Sequence, residues 1–409
     1  MSSGLPVYHD CLPELAERLA RHGSLGLVVL DVSTLQAVED EYGSDAFEEV
    51  RQRVLRVLEE LRGSDYRAGD LVALDQPQGS RVFLFLDPKR RRKQVFTTAD
   101  VRAARLRLAS TLAPSLARAG FPYLKNLSHV DVGGALALHN PLVHPARILE
   151  RAFREAADDA ARHRRDDALK QRERIQDLIA HQAVVTAFQP IQILKDRALL
   201  GYEALSRGAR GTGLESAGQL FGAAEAHGLH VELDRLCRSR ALLSAGRISS
   251  GARLFLNTLP TTIRDPEFRG RALIEFLDKA QVSPDRIVIE ITEKLIIANY
   301  NLFSEAMAYF TELGMSFAVD DVGAGYSGLE SIARLRPHFL KIDISLVRDV
   351  HHSLVNREMV KAILSLGRGI SSTVIAEGIE TREEAEALQD IGIDYGQGFY
   401  LARPELPPE

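Results

Sequence analysis

The 409-residue sequence contains no tryptophan and only two cysteines. Cys11 and Cys237 are too few for a disulfide framework and show no metal-type spacing, which excludes a stapled secreted scaffold and fits a reducing cytoplasm. No apolar run approaches the roughly 20 residues a membrane helix needs. The opening MSSGLPVYHDCLPELAERLARHG has no signal-peptide core, so neither membrane insertion nor export is expected. Positive charge is not in excess either: 51 Lys and Arg against 56 Asp and Glu give a net charge of -5, which argues against a dedicated nucleic-acid partner. The one strongly basic run, Lys89 to Lys93 in PKRRRKQ, reads as a solvated loop, with phosphate contact as the lesser reading.

What remains is an ordinary globular composition, 45% hydrophobic and 26% charged, in a chain long enough for two domains. From about 140 to 182 the sequence turns rich in Ala, Arg, Asp and Glu. Its apolar residues are sparse (Ile148, Leu149, Phe153, Leu169, Ile175, Leu178 and Ile179), the pattern of a long charged helix. Composition changes across it, so the boundary is placed near residue 165: an N-terminal domain over 1–165, a helical linker over 166–183 and a C-terminal domain over 184–409. Such a helix either pairs in a homodimer or packs on its own domain.

Before the linker, SLGLVVLDVSTL, DLVAL, RVFLFL and VDVGGALAL read as strands. AFEEVRQRVLRVLEELRG and ADVRAARLRLASTLAPSLARAG read as helices, which together make a small α/β or α+β domain around a central sheet. After the linker one pattern repeats. The apolar runs VVTAFQP, ALLGYEAL, RLFLNT, RIVIEITE, SFAVDD, HFLKID, TVIAEG and YGQGFYL alternate with helix-like stretches. Eight such runs match a (β/α)8 barrel, with a doubly wound open sheet as the competitor.

Nearly every run ends in a polar residue that apolar patterning does not require: Gln189, Glu203, Asn257, Glu290 with Glu293, Asp320 with Asp321, Lys341 with Asp343, Glu377 with Glu380, and Gln397. One acid after a strand is ordinarily a helix cap or a surface group, and Asp343, Glu380 and Glu293 taken singly read that way. The set as a whole reads differently. Barrel strands converge at their C-terminal ends, and oxygen donors gathered from several strands suit hard divalent cations.

The stretch FAVDDVGAGYSGLESIARL carries Gly323, Gly325 and Gly328 in dinucleotide-binding spacing, with Asp343 at 20 residues beyond Gly323. Two carboxylates flank those glycines. Each would repel a phosphate charge at 4 Å by about 4 kcal/mol at an effective dielectric of 20, which makes a bare pyrophosphate a poor guest. Metal ions reverse that sign: Asp320 can bridge two cations and Asp321 can serve the second. The glycines then act as hinges of a loop over the site.

Together these residues resemble the EAL-domain family, bacterial phosphodiesterases that cut cyclic di-GMP. The resemblance runs from about residue 184 to 405 through FQPI, YEALSRG, LFLN, EITE, DDVGAGYSGL, LKIDISLV, AEGIE and QGFYLARP. It implies a TIM-like barrel with its first strand reversed, two Mg2+ or Mn2+ ions, and hydrolysis of cyclic di-GMP to linear pGpG. By the same resemblance, Glu203, Asn257, Glu290 and Asp320 would ligate one metal, with Asp320 and Asp321 serving the other. Lys341 would orient the hydrolytic water, and Glu377 would support the second metal or act as base. Gln397 would position the site, Glu293 would anchor the loop 322–329, and Gln189, Leu205 and Arg207 would contact substrate. Val322 and Ala324 depart from the usual Phe and Thr of that loop, and a usual Trp after the Arg is absent. Those departures bear on loop order and dimer coupling.

The N-terminal domain resembles a GGDEF domain, the fold of diguanylate cyclases, with Asp31 at a position that would bind metal. The signature is missing after RAGDLVAL, where the chain reads DQPQGS, so the resemblance implies a degenerate, regulatory domain. Arg67 to Asp70 matches a product-inhibition pattern and also reads as a structural Arg-Asp pair. A regulatory nucleotide or a protein partner is expected there. Three function classes follow: a cyclic di-GMP phosphodiesterase, a catalytically silent receptor of EAL type signalling to a partner, and, on the glycines alone, a nucleotide-dependent oxidoreductase.

Overall fold

The computed structural model describes residues 5–64, 66–86, 96–120, 123, 131–249, 251–259, 262, 264–294, 300–324 and 329–407. The basic run at 89–93, and Gly325 and Gly328 of the glycine-rich loop, lie outside the described residues. The chain divides into two compact units, Met1–Lys170 and Gln171–Glu409.

The first unit is built on a sheet of β1 (Ser24–Asp31), β2 (Leu71–Leu74), β3 (Arg81–Leu86) and β4 (Asp131–Leu138). The order is β2-β3-β1-β4 and every pairing is antiparallel. The run SLGLVVLD is apolar throughout because both of its faces are covered, and successive side chains of a strand point to opposite faces. Leu25, Leu27 and Val29 join Phe83 and Phe85 in one core, with Leu15 and Leu19 of helix Tyr8–His22 and Leu149, Phe153 and Ala156 of helix Pro145–Ala180. Val28 and Leu30 join Leu84 and Leu86 in the other, under helices Ser44–Glu60 and Thr98–Gly120. The glycine at 133 admits the long helix: a Cβ there would stand 2.0 Å from the Ala156 carbonyl. The strands are those expected from the sequence. Helix Tyr8–His22 falls in a stretch read there only for its lack of a signal core.

Asp31 does not present an open metal position. Its carboxylate, at the end of β1, is buried and lies 3.1 Å from Arg81 and 3.7 Å from Arg164, while its register partner Asp131 lies 2.5 Å from the same Arg164. Guanidinium groups stand where a cation was expected, and they satisfy the same negative charge. Buried Asp70 accepts the backbone N–H of Arg67 at 2.7 Å, closing a turn, which accounts for its burial without a ligand.

The second unit is a closed barrel of eight strands: β5 (Val184–Ile193), β6 (Leu199–Gly208), β7 (Arg253–Asn257), β8 (Ile287–Thr292), β9 (Ser316–Val322), β10 (Phe339–Ile342), β11 (Thr373–Ala376) and β12 (Tyr395–Gly396). These are the eight apolar runs in order, and closure removes the open-sheet alternative. β5 is antiparallel to both neighbours, β6 and β12, while every other pairing is parallel, so the first strand is reversed. Among the described residues no helix is long and apolar enough to cross a membrane.

The barrel interior sets up the site. Ile191, Phe255, Val288, Ala318, Phe339 and Ile375 form one inward cluster, with Phe255 edge-on to Phe339 at 5.2 Å. Burying each large side chain contributes about 1.5–3 kcal/mol. Side chains two positions apart share a face, so these residues are a dry floor beneath whatever stands next along each strand.

Candidate active site

What stands next is the polar set. Two positions beyond Phe255, Val288, Ala318, Phe339 and Ile375 come Asn257, Glu290, Asp320, Lys341 and Glu377. β5 runs the other way, so its contribution lies two positions before Ile191, at Gln189. Gln189 is therefore a mid-strand residue, not a strand end as the linear pattern suggested, and it reaches the ring because its register partner is Glu203. Glu203, Leu205 and Arg207 alternate along the same face of β6.

Lys341 is fully buried at the centre of the ring. Its Nζ lies 2.5 Å from Glu377, 2.7 Å from Glu290, 3.3 Å from Glu203 and 3.4 Å from Asp320. Burial opposes its charge, but the attraction of Asp320, Glu203, Glu290 and Glu377 wins, and its pKa is raised well above the ordinary lysine value. Glu203 is moved the other way. Burial acts against its charge, yet Lys341 and the amide donors of Gln397 and Asn257 hold it below the usual carboxylate range. Those donors are close, at 2.6 Å from Gln397 Nε2 and 2.9 Å from Asn257 Nδ2.

Gln397 also donates to Gln189 Oε1 at 3.0 Å, and Gln189 donates to the Ala402 carbonyl at 3.1 Å. The tail beyond β12 makes this possible, since Phe188 and Glu405 exchange backbone hydrogen bonds at 2.7 and 3.1 Å. The role of that tail had no signal in the sequence, because a single antiparallel bridge leaves no periodicity.

Glu290 is fully buried, and neither of its carboxylate oxygens has an aligned hydrogen-bond donor among the described residues. Its contact with Lys341 is a charge pairing rather than a directed bond. Burial, with Glu203 and Asp320 adding to it against Lys341, raises Glu290 well above the ordinary carboxyl value. Burial and Asp320 do the same to Glu377. Asp321 is pushed up to about 6, by burial first and then by Asp320 and Asp343. Its backbone sits at φ +57, a left-handed conformation that costs a non-glycine residue about 1–3 kcal/mol and persists only where the surroundings fix it.

These oxygens suit divalent metal ions. Glu203, Glu290 and Asp320 bring one ligand atom each within 4.8 Å of one another, and so do Asp320, Asp321 and Glu377. Asp320 belongs to both groups, as a bridging ligand would. Five carboxylates with one ammonium carry a formal charge of -4, which two divalent cations would neutralise. All donors are oxygen, the preference of Mg2+ and Mn2+.

The remaining expected residues are placed as follows. Glu293 is buried and accepts the backbone N–H of Gly323 at 3.1 Å, at the start of the glycine-rich loop. Gly323 sits at φ +97, and a Cβ on it would lie 2.3 Å from Leu346, so glycine is required there. Val322 is buried in the barrel's outer core and Ala324 is exposed. Leu205 lines a cavity of about 310 Å³ together with Asn257, Glu290, Phe221, His230 and Cys237. Those last three were not foreseen, since they come from helices whose patterning reads as core. Asp343 caps the short helix Ile344–Val347 by accepting the Ser345 N–H at 2.9 Å, and Glu380 makes an exposed ion pair with Arg348. Asp343 is thus no ribose ligand, and the dinucleotide reading loses its acid.

The Bacillus subtilis "Signaling protein YkoW" is 31% identical over 240 residues, covering 58% of this chain and 30% of that protein. The Pseudomonas aeruginosa "Cyclic di-GMP phosphodiesterase NbdA" is 26% identical over 405 residues, covering 94% of this chain and 49% of that protein. The chain therefore spans between about a third and a half of the length of these relatives. Among solved structures, "PaMucR Phosphodiesterase, c-di-GMP complex" superposes with a TM-score of 0.51 at 25% identity, covering 58% of this chain and 98% of that one. The EAL domain profile matches residues 172–404, which contain the whole barrel and every member of the polar ring, and the chain belongs to the EAL domain family.

Proposed function

We propose that this protein hydrolyses cyclic di-GMP to linear pGpG at the barrel site, with two Mg2+ or Mn2+ ions held by Glu203, Asn257, Glu290, Asp320 and Asp321. The observation that carries this reading is buried Glu290, whose two oxygens lack aligned donors inside two overlapping oxygen clusters. A pure receptor has no need of such a site. The similarity to a cyclic di-GMP phosphodiesterase and to a solved phosphodiesterase complex supports the same substrate.

The metals, when bound, would supply Lewis acidity toward a phosphate oxygen and lower the pKa of water. The chain's own groups do the rest. Lys341, kept protonated by its four carboxylates, donates to and orients the attacking water while offsetting charge that builds on phosphorus. Glu377, at the same nitrogen, takes a proton from that water or supports the second metal. Gln397 holds Glu203 in its ligating rotamer, as amide partners of metal-bound carboxylates commonly do, and Asn257 donates its Nδ2–H to the same carboxylate while its Oδ1 would serve as a ligand. Gln189, Leu205 and Arg207 would contact substrate, and Glu293 would anchor the loop 322–329 through the Gly323 N–H. Residues 1–165 would form a degenerate, regulatory GGDEF-like domain, 166–183 its helical linker, and the protein would act as a homodimer in a bacterial cytoplasm.

Incubation of the purified protein with cyclic di-GMP and Mg2+ or Mn2+ should yield pGpG, and Glu203→Ala or Asp320→Ala should abolish it. Full metal-dependent turnover in either variant would overturn the site. Binding of cyclic di-GMP without any product would assign the chain to the receptor class instead.

A further inference from the structure

Glu384 stands outside the polar ring, in the first turn of helix Arg382–Ile391, yet it is buried, at 4% exposure. As the third residue of that helix it completes a capping box. Its backbone N–H donates to Thr381 Oγ1 at 3.2 Å, and its carboxylate accepts the Thr381 N–H at 3.1 Å. A capping box needs no more than that. Glu384 makes two further bonds: Oε2, which takes the Thr381 N–H, also accepts the Glu380 N–H at 2.8 Å, and Oε1 accepts the Asp349 N–H at 3.2 Å.

Those donors lie on two different segments of the candidate site. Glu380 and Thr381 follow Glu377 directly, in the segment that leaves β11. Asp349 ends the segment that leaves β10 after Lys341 and passes through helix Ile344–Val347. The backbone there is constrained: Asp349 sits at φ +56, a left-handed conformation that a non-glycine residue keeps only where its surroundings fix it. The bond to Glu384 is one such restraint. Closer to the strands, the Glu377 N–H donates to the Ile342 carbonyl at 3.1 Å. The Arg348–Glu380 pair at 3.2 Å also spans the two segments, but it is exposed and holds them weakly. One buried carboxylate thus clamps the two segments beside Lys341 and Glu377, whose charged ends meet at 2.5 Å.

We infer that Glu384 is a positioning residue for hydrolysis: by joining the segments 344–349 and 377–381 it keeps the Glu377 carboxylate at Lys341 Nζ. The inference rests on the hydrolytic reading of the barrel site and adds to it a residue outside the ring. Its leverage is geometric. A displacement of about 1 Å in a reacting group can cost about a hundredfold in rate. Only a carboxylate offers an acceptor oxygen to each segment at once; a helix cap alone would be served by the Thr381 bond.

The test compares Glu384→Ala with Thr381→Ala in the full chain, at saturating Mn2+ and well below the melting midpoint. Both variants break the capping box, so both should melt earlier, Thr381→Ala by about 2–4 °C. Only Glu384→Ala opens the clamp. Its kcat should fall by at least about tenfold with KM for cyclic di-GMP within about twofold of wild type, while Thr381→Ala keeps the wild-type kcat. Should Glu384→Ala fail to fold, Glu384→Gln keeps the volume but only one acceptor oxygen, and its kcat should fall by at least about threefold. Amide hydrogen exchange read by mass spectrometry needs no turnover: Glu384→Ala or Glu384→Gln should speed exchange at 344–349, and Thr381→Ala should not. Wild-type kcat in the Glu384 variants, an equal kcat loss in Thr381→Ala, or unchanged exchange at 344–349 would overturn the inference and leave Glu384 a helix cap. A wild-type protein that yields no pGpG would instead overturn the hydrolytic reading, and the catalytic role of Glu384 with it.

Discussion

Lys341 Nζ and Glu290 Oε1 lie 2.7 Å apart, both in fully buried side chains at the centre of the barrel. An isolated buried pair is weak support for a fold, because desolvation offsets much of the attraction. Here one ammonium serves four carboxylates, so the balance is unfavourable to the fold and favourable to cations. Function explains what stability does not.

Lys341→Met should expose that imbalance. With chelator present, the variant leaves clustered carboxylates without their counter-charge, a change that costs about 3–5 kcal/mol when a buried pair is broken. Thermal melting should fall by roughly 10 °C, and added Mn2+ should restore most of it. Hydrolysis should stay depressed by at least about a hundredfold. A melting temperature insensitive to Mn2+ would remove the metal from this ring.

Gln397→Leu keeps the volume and deletes the donor 2.6 Å from Glu203. Metal affinity should fall about 10–100-fold, as for other supporting partners of metal ligands. Calorimetric titration with Mn2+ reads this directly, and unchanged affinity would make Gln397 a packing residue.

Glu293→Ala removes the acceptor for the Gly323 N–H. The loop beginning at Val322 should lose its anchor while the metal ligands keep theirs. The expected signature is kcat reduced by about tenfold or more, with Mn2+ affinity within about twofold of wild type. Equal losses in both would mean that Glu293 acts on the metals.

Arg238 pairs with Asp234 at 2.8 Å and Asp265 at 2.9 Å, all three buried, and its guanidinium lies 4.4 Å from the Phe268 ring. Arg238→Ala leaves buried Asp234 without a cation and Asp265 with Arg235 alone at 3.1 Å, and should destabilise the barrel by about 3 kcal/mol in urea unfolding. A loss under about 1 kcal/mol would show that the site relaxes or hydrates freely.

Asp31 supplies a pH test in the first unit. Burial works to raise its pKa, but the Ser33 hydrogen bonds and Arg81 outweigh it, and the folded value lies below the ordinary one. A depressed carboxyl contributes stability above its unfolded pKa, near about 3.9, and loses it as pH falls through the folded value. Asp31→Asn should therefore be less stable than wild type by about 1–2 kcal/mol at pH 7, with the gap narrowing progressively as pH falls below about 3.9. A gap that persists at low pH would mean the loss is steric.

The barrel runs β7 to β11 could be read from the sequence because they are buried along most of their length and so appear as short apolar stretches. The polar ends of those runs were equally legible. Their spacing from the floor was in the sequence too, as an apolar residue two positions before each polar one, and that regularity separates ring residues from caps. It passes Asn257, Glu290, Asp320, Lys341 and Glu377, and it rejects Asp343, which follows Lys341 by two positions and caps a helix by accepting the Ser345 N–H.

The sequence by itself determined the strands, the residue types at their ends and the composition change around the long helix, because periodicity and charge are local properties. Tertiary structure alone decided which of those residues meet. Reversal of β5 carries a mid-strand Gln189 opposite Glu203, closure brings Lys341 to four carboxylates from four strands, and a tail bridge to Phe188 holds the amide relay in place. It also decided that Asp31 faces arginine. Long-range register and burial set the electrostatics of each carboxylate, and neither is encoded within a few residues of it.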